Sequence, residues 1–275
     1  MLSYQHGYHA GGFADVIKHV TLTRLLNYLI LKDKPLFYLE THAGRGLYDL
    51  KDKQALKTGE ALDGIQVAWS HRRALPAVFS SYMELISQLN QADTLRYYPG
   101  SPIIASTLLR AKDRQFYCEL HPQEFEHLKR IPKGGKRVHV SQTDGIKELS
   151  ALVPPPERRG LIFLDPSYEV KSEYSTIPEA LKVAYRRFLT GVYCLWYPLI
   201  DDRLHSTLLR RLNVIGAKNH LRLEFYLNNK IGQGMTGTGL WIINPPYLLS
   251  AEIKMALESM CQLYNPGVSS FLIED

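Results

Sequence analysis

The sequence predicts an α/β fold: a mainly parallel sheet with helices on both faces, an antiparallel C-terminal strand and an inserted helical subdomain. Three observations predict it. Short apolar runs alternate with stretches of helical period along the whole chain. One run, Leu36-Phe37-Tyr38-Leu39-Glu40, leads straight into Thr41-His42-Ala43-Gly44-Arg45-Gly46, a strand followed by a G-x-G turn. Another, Leu161-Ile162-Phe163-Leu164, stops at Asp165-Pro166, because proline cannot extend a central strand. Open α/β sheets bind ligands outside the carboxyl ends of their strands, so both loops belong to one functional edge.

Composition narrows the class. A chain of 275 residues suits one large α/β domain or a domain with an insertion. Lys and Arg number 33 against 27 Asp and Glu, a net charge of +6, which permits a polyanion partner and equally suits a basic enzyme. Cys118, Cys194 and Cys261 are odd in number and form no C-x-x-C, which points to reduced, buried thiols in a cytoplasmic protein. The first residues lack a basic segment followed by an apolar one, so no secretory leader is expected. No apolar run approaches spanning length, so no membrane partner is expected either.

At the N-terminus Tyr4, His6, Tyr8 and His9 crowd among Gly7, Gly11 and Gly12. A metal site from His6, His9 and His19 is set aside, because no Cys or Glu completes a ligand set. The plain reading is a docked or disordered terminus. The functional one is an arm that stacks on a nucleobase, with His and Lys reaching phosphate. From Ala14 to Leu31 apolar residues recur at helical spacing, with Asp15 in the first turn and Lys18 and His19 side by side. Taken singly, Lys18 and His19 read as solvated or satisfied side chains.

After the G-x-G turn a second strand should end in an acid that holds a ribose, about 20 residues on in an unbroken unit. Glu119, ending Gln115-Phe116-Tyr117-Cys118, lies 119 − 46 = 73 residues beyond Gly46. The excess of roughly 50 residues over that expectation is an insertion, and apolar residues at helical intervals through 54–95 make it helical. The predicted division is 1–53 for the arm, first helix, first strand and glycine loop, 54–97 for the insert, and 98–275 for the remainder. Tyr98-Pro99-Gly100-Ser101-Pro102 turns into a helix over 103–109, with Ser101 as N-cap or ligand contact. Val138-His139-Val140-Ser141 is a third strand, followed by the loop acid Asp144 before Gly145. Pro154-Pro155-Pro156 is a rigid connection. A helix over 178–189, strands over 192–196 and 221–227, a glycine-rich loop over 232–239 and a strand over 240–243 complete the pattern.

Two segments compete for the reacting position. Asp165-Pro166-Ser167-Tyr168 is one residue away from the Asp-Pro-Pro-Tyr signature of amino-group methyltransferases. Asn244-Pro245-Pro246-Tyr247 is formally the closer match. Position favours Asp165, which ends the fourth strand after the glycine loop with Glu119 and Asp144 in order before it. Asn244 ends a strand joined to its predecessor by a loop too short for a crossover helix. The two strands are therefore antiparallel neighbours, and Asn244 falls at the far edge. The loop over 232–239 then lies on the active side, where it is expected to cover substrate.

With these residues in place the chain resembles the bacterial 23S ribosomal RNA adenine-N6 methyltransferase family known as RlmJ, earlier linked to the use of external DNA. The resemblance runs through Ser3-Tyr4-Gln5-His6 and His9-Ala10-Gly11, Ala14-Asp15-Val16 with Lys18-His19, Thr41-His42-Ala43-Gly44, Tyr98 to Pro102, Glu119-Leu120-His121-Pro122, Asp144-Gly145, the Asp165 motif, and Met235-Thr236-Gly237 with Asn244-Pro245-Pro246. It implies a Rossmann-like class I methyltransferase using S-adenosyl-L-methionine. It implies cofactor contacts at His19, His42, Gly44, Ser101, Glu119, Asp144, Gly145 and Asp165, and a catalytic group of Asp165, Pro166 and Tyr168. Tyr4, His6, His9 and Lys18 become contacts to the target 23S rRNA, with no metal, and a monomer is expected. The family's second motif proline is Ser167 here, which adds a backbone N–H and loosens the kink. The rival readings are a DNA adenine methyltransferase, a nucleic-acid-binding protein involved in catabolism of external DNA and, last, a metal hydrolase.

Overall fold

The computed structural model describes residues 4–91, 93–131, 137–227 and 235–275. Residues 232–234 of the predicted glycine-rich loop lie outside them, so its placement over the substrate is not described. In chain order the elements are α1 (Phe13–Leu31), β1 (Phe37–Glu40), β2 (Leu47–Asp49), α2 (Lys53–Thr58), α3 (Glu60–Asp63), α4 (Ile65–Ser70), α5 (Ser80–Leu89), β3 (Tyr97–Pro99), α6 (Ser101–Leu108), β4 (Arg114–Cys118), α7 (Pro122–Leu128) and β5 (Arg137–Ser141). They continue with α8 (Gly145–Leu152), β6 (Gly160–Leu164), α9 (Glu173–Arg187), β7 (Val192–Leu199), α10 (Asp202–Asn213), β8 (His220–Tyr226), β9 (Gly237–Ile243), α11 (Leu249–Leu263) and β10 (Ser270–Glu274).

Eight strands form one sheet in the order β10-β8-β9-β7-β6-β1-β4-β5. Strands β5, β4, β1, β6 and β7 run parallel, while β9 inserts antiparallel between β7 and β8, and β10 pairs antiparallel with β8. The chain builds outward from β1 to β4 and β5, then returns to the other side of β1 with β6. That reversal is a switch point, and it opens a crevice between the loops after β1 and β6. The sheet is the mainly parallel, C-terminally antiparallel one that the sequence predicts.

Side chains alternate across the central strands and bury both faces. Phe37 and Leu39 of β1, with Ile162 and Leu164 of β6, enter the core beneath α8, α9 and α10. Tyr38, Leu161 and Phe163 enter the opposite core with α1, α5, α6 and α11. This double cover is why these strands read as continuous apolar runs. Helix α1 is buried nearly all round from Ala14 to Leu26, because it is packed by α5, α6 and α11 as well as by the sheet. Lys18 and His19 are therefore buried, and neither is the solvated side chain of the plain reading.

The predicted elements recur with shifted boundaries. The helix expected from 178 begins at Glu173, and Pro178 lies inside it with its ring buried beside Ile177 and Leu181. Gly100, not Ser101, is the N-cap of α6. Asp144 is a helix cap rather than a loop acid, accepting from Ile146 N at 3.1 Å and Lys147 N at 3.3 Å. The N-terminal arm is docked from Tyr4 onward through a 3-10 turn at His6–Tyr8. Among the described residues no helix is long and apolar enough to cross a membrane. The three cysteines are free, and Cys118 and Cys194 are buried in strands.

Helices α2 to α5 fill the stretch between the β2 and β3 strands, which pair with each other. Their contact with the arm is tightest at Gly64, where an added Cβ would stand 2.1 Å from the Gly11 carbonyl oxygen and 2.7 Å from Gly12 Cα. Both neighbours are backbone and cannot swing aside. Gly64→Ala is expected to destabilise the protein by about 1–3 kcal/mol through overpacking. A lowered urea midpoint with unchanged slope checks it.

Candidate active site

The carboxyl ends of β1, β4, β5 and β6 enclose a cleft of about 370 Å³. Tyr4, His6, His19, His42, Gly44, Ser101, Glu119, Asp144, Gly145 and Asp165 all line it. These residues span 162 positions of sequence (165 − 4 = 161 steps) and come together only because the strand ends converge. His9, Lys18, Pro166 and Tyr168 stand outside the cleft wall.

A continuous polar chain runs from the arm to the motif. The Tyr4 hydroxyl lies 2.8 Å from His6 Nδ1, and His6 Nε2 lies 2.9 Å from Asp15 Oδ2. The same Asp15 oxygen accepts Gly11 N–H at 2.9 Å. Asp15 Oδ1 meets Lys18 Nζ at 2.8 Å, and Lys18 Nζ donates to Asp165 Oδ2 at 2.6 Å. Asp15 and Lys18 are each 2 % exposed, so water screens little of this attraction. Burial alone would raise the Asp15 carboxyl, but His6 and Lys18 outweigh it and hold Asp15 well below its ordinary range. Burial alone would lower Lys18, but Asp15 and Asp165 outweigh it and raise the ammonium above its ordinary value.

This arrangement corrects one expectation. Lys18 is no solvated cation reaching for phosphate, because its ammonium is buried between two carboxylates and 5.2 Å from the Trp196 ring. It holds one oxygen of Asp165 and leaves Oδ1 for a ligand. His9 is held by Glu60 at 2.6 Å and stacks on Tyr4, with ring centroids 5.7 Å apart. Its hydrogen bond to Glu60 raises its pKa.

On the β4 side Glu119 accepts Gly44 N–H and His121 N–H, both at 2.7 Å, one at each oxygen. Burial, opposed by those two bonds, raises its carboxyl. His19 donates to or accepts from the Tyr98 hydroxyl at 2.7 Å, and burial pushes it down to about 3. Burial likewise pushes His42 down to about 4. Both imidazoles are neutral at pH 7. Ser101 donates to the buried Glu40, whose carboxyl burial raises well above its ordinary range. Gly145 is required by a close approach, since a Cβ there would stand 2.1 Å from the Thr41 carbonyl oxygen.

The motif itself is strained. Tyr168 has φ +54°, in the left-handed region that bulky residues rarely adopt. Its ring does not face the cleft. It is 7 % exposed and packs on Tyr174 at 4.5 Å, with its hydroxyl buried and unpartnered. The competing Asn244 lies at the opposite edge of the sheet, donating to the carbonyls of Leu189 and Gly191 at 2.8 Å beside the start of β7. Sequence reading missed three residues here. From sequence Asp15 is only a first-turn acid. From sequence Trp196 is a strand residue. Glu173, on the cleft wall, has its carboxyl raised by burial and its Oε2 unpartnered. The signal for Asp15 was available, since an α1 apolar on every side must bury its charged residues in pairs.

The family model described as "Ribosomal RNA large subunit methyltransferase D, RlmJ" matches residues 33–269. The chain belongs to the RlmJ family. The family's relatives include "Ribosomal RNA large subunit methyltransferase J" of Haemophilus influenzae, 39% identical over all of this chain and 98% of the relative. The protein of the same description from Escherichia coli is 40% identical over 94% of this chain and 92% of its own. A crystal structure of a Legionella pneumophila protein superposes with a TM-score of 0.94 at 54% identity, covering 97% of this chain and 98% of that one. The architecture is accordingly a Rossmann-like methyltransferase fold.

Asp15 has an expected signature. Asp15→Asn removes a buried charge that pairs Lys18 and His6, which should cost about 3–5 kcal/mol at neutral pH. The depressed folded-state pKa means this stability is present above the unfolded value, near 4, and is lost as pH falls through the folded value. Urea unfolding of both proteins from pH 7 to pH 2 should show the gap shrinking only below about pH 4.

Proposed function

We propose that the protein transfers a methyl group from S-adenosyl-L-methionine to the exocyclic N6 of an adenine in 23S ribosomal RNA, with protein-free RNA as substrate. The observation that carries this reading is the Asp165 carboxylate, fixed through Oδ2 by Lys18 at the mouth of the switch-point cleft with Oδ1 left for a ligand. Adenine N6 is a poor nucleophile because its lone pair is delocalised into the ring. Accepting one N–H at Asp165 and the other at the Pro166 carbonyl would concentrate that lone pair where the new bond forms. Lys18 acts through Asp165 by holding the carboxylate in one orientation. After transfer N6 is cationic, and the adjacent Asp165 carboxylate is placed to take its proton.

The residues on the cofactor side fit the methyl donor. Glu119 has lone pairs left beyond its two backbone bonds, which suits ribose hydroxyls. On the cleft wall the buried His121 Nδ1 has no partner within the protein, as expected of a wall that meets a polar ligand. His19 and His42 stay neutral and so do not repel a sulfonium. Gly44, Ser101, Asp144 and Gly145 complete this wall. When bound, the sulfonium supplies the reactive methyl group, and the chain supplies orientation.

Tyr4, His6 and His9 are proposed to meet the RNA at the cleft mouth. Burial, reinforced by Asp165 and Asp15, raises the Tyr4 hydroxyl, so it remains a donor at pH 7. A base must leave its stack to enter such a cleft, which favours unstructured RNA. Stacking by Tyr168 requires its ring to leave Tyr174. The strained backbone and unpartnered hydroxyl make the present rotamer less costly to abandon. The insert over 54–97 is proposed as a unit beside the site, and the whole as a cytoplasmic monomer.

Asp165→Ala is expected to reduce methyl transfer to transcribed 23S rRNA by at least about 10²–10³-fold, with the circular dichroism spectrum retained. Labelled-methyl transfer to RNA and to matched DNA measures it. Full activity in the variant would remove Asp165 from the reaction, and transfer to DNA alone would make the substrate DNA.

A further inference from the structure

The surface beside the cleft mouth carries charge that the reaction does not use. Helix α2 packs on the arm, with Gln54 Nε2 donating to Gln5 Oε1 at 2.7 Å and the Thr58 hydroxyl donating to the Tyr8 carbonyl. Tyr4 and His6 of that arm line the cleft, so α2 and the cleft mouth share one surface. Lys51, Lys53 and Lys57 are exposed along it. Lys53 and Lys57 stand four residues apart on one helix face, a like-charge spacing that destabilises an isolated helix.

The nearby carboxylates have other partners, although Asp49 also attracts Lys51. Asp49 is taken by Arg96 at 2.8 Å, Asp52 faces Arg45 at 3.9 Å, and Glu60 is taken by His9 at 2.6 Å. Among the described residues none of the three lysines has an ion-pair partner. Lys57 Nζ instead lies 5.6 Å from the centre of the partly exposed Tyr8 ring. Three exposed lysines without an ion-pair partner, two of them on one helix face beside the Tyr8 ring, match a chain of regularly spaced anions carrying flat bases.

We propose that Lys51, Lys53 and Lys57 form a phosphate-binding ridge that holds the RNA backbone flanking the target adenine. The proposal rests on the reading of RNA as substrate. The ridge positions the strand without reading its sequence, because ammonium–phosphate contacts carry no base information. It also gives the insert a role in the reaction: α2 and the arm together bring the backbone to the cleft.

The test is the salt dependence of binding to transcribed, protein-free 23S rRNA. Each phosphate contact contributes about 0.7–0.9 to the slope of log affinity against log salt. The triple variant K51A/K53A/K57A should lower that slope by roughly 2 and weaken binding at least about tenfold at low salt. Calorimetric cofactor affinity should match the unsubstituted protein, which shows that the variant is folded. A charge-matched control removes Arg158, Arg187 and Lys218, which lie at the opposite edge of the sheet near the starts of β6, β7 and β8, and should leave the slope nearly unchanged. An unchanged slope in the α2 variant, or an equal loss in the control, would overturn the ridge. Absence of RNA binding by the unsubstituted protein would remove the RNA reading itself.

Discussion

The contact between Lys18 and Asp165 is the constraint on which the rest of the site depends. A carboxylate at the end of a buried strand must be paired or must neutralise. Here the pairing cation comes from α1, which is itself buried between sheet and helices, and so needs its own partner in Asp15. Asp15 in turn anchors the arm through His6 and Gly11 N–H. One buried cation therefore couples three parts of the chain that are distant in sequence: the arm, the first helix and the motif after β6. A change in the seating of the arm bears on Asp15, and through Lys18 on the orientation of Asp165.

The same arrangement separates two kinds of polar group around the cleft. Towards β6 the Asp165 carboxylate is held through one oxygen by the Lys18 ammonium. Towards β1 and β4 they are neutral imidazoles, a raised carboxyl and backbone donors. A cationic donor and a neutral base place opposite demands on a site. In the proposed reaction, the uncharged His19 and His42 would face the donor and the Asp165 carboxylate the base. Among the described residues that line or follow the motif, Tyr168 carries a positive φ, where the chain turns sharply after Asp165 and Pro166.

The fold was largely legible because periodicity and punctuation act locally. The apolar runs, the glycine turn and the proline after Asp165 are each set by residues in contact along the chain. The placement of Asp165 in the cleft and of Asn244 at the far edge was legible, since a short connection between β8 and β9 forces them antiparallel. Lys18 was not legible as the partner of Asp165, because the two are 147 positions apart and meet only when α1 is covered on its outer side. The resemblance places Tyr168 in the catalytic group, but its ring packs into the α9 core against Tyr174. The boundary of α9 was misplaced because Pro178 looks like a helix start, whereas packing at Tyr174 and Ile177 extends the helix across it.

The measurement that bears most directly on the account is nucleoside mass spectrometry of transcribed 23S rRNA after incubation with the protein and S-adenosyl-L-methionine. The account predicts a single new modified nucleoside, N6-methyladenosine. A methyl group on any other base or ring atom, or no methyl on protein-free RNA, would contradict it.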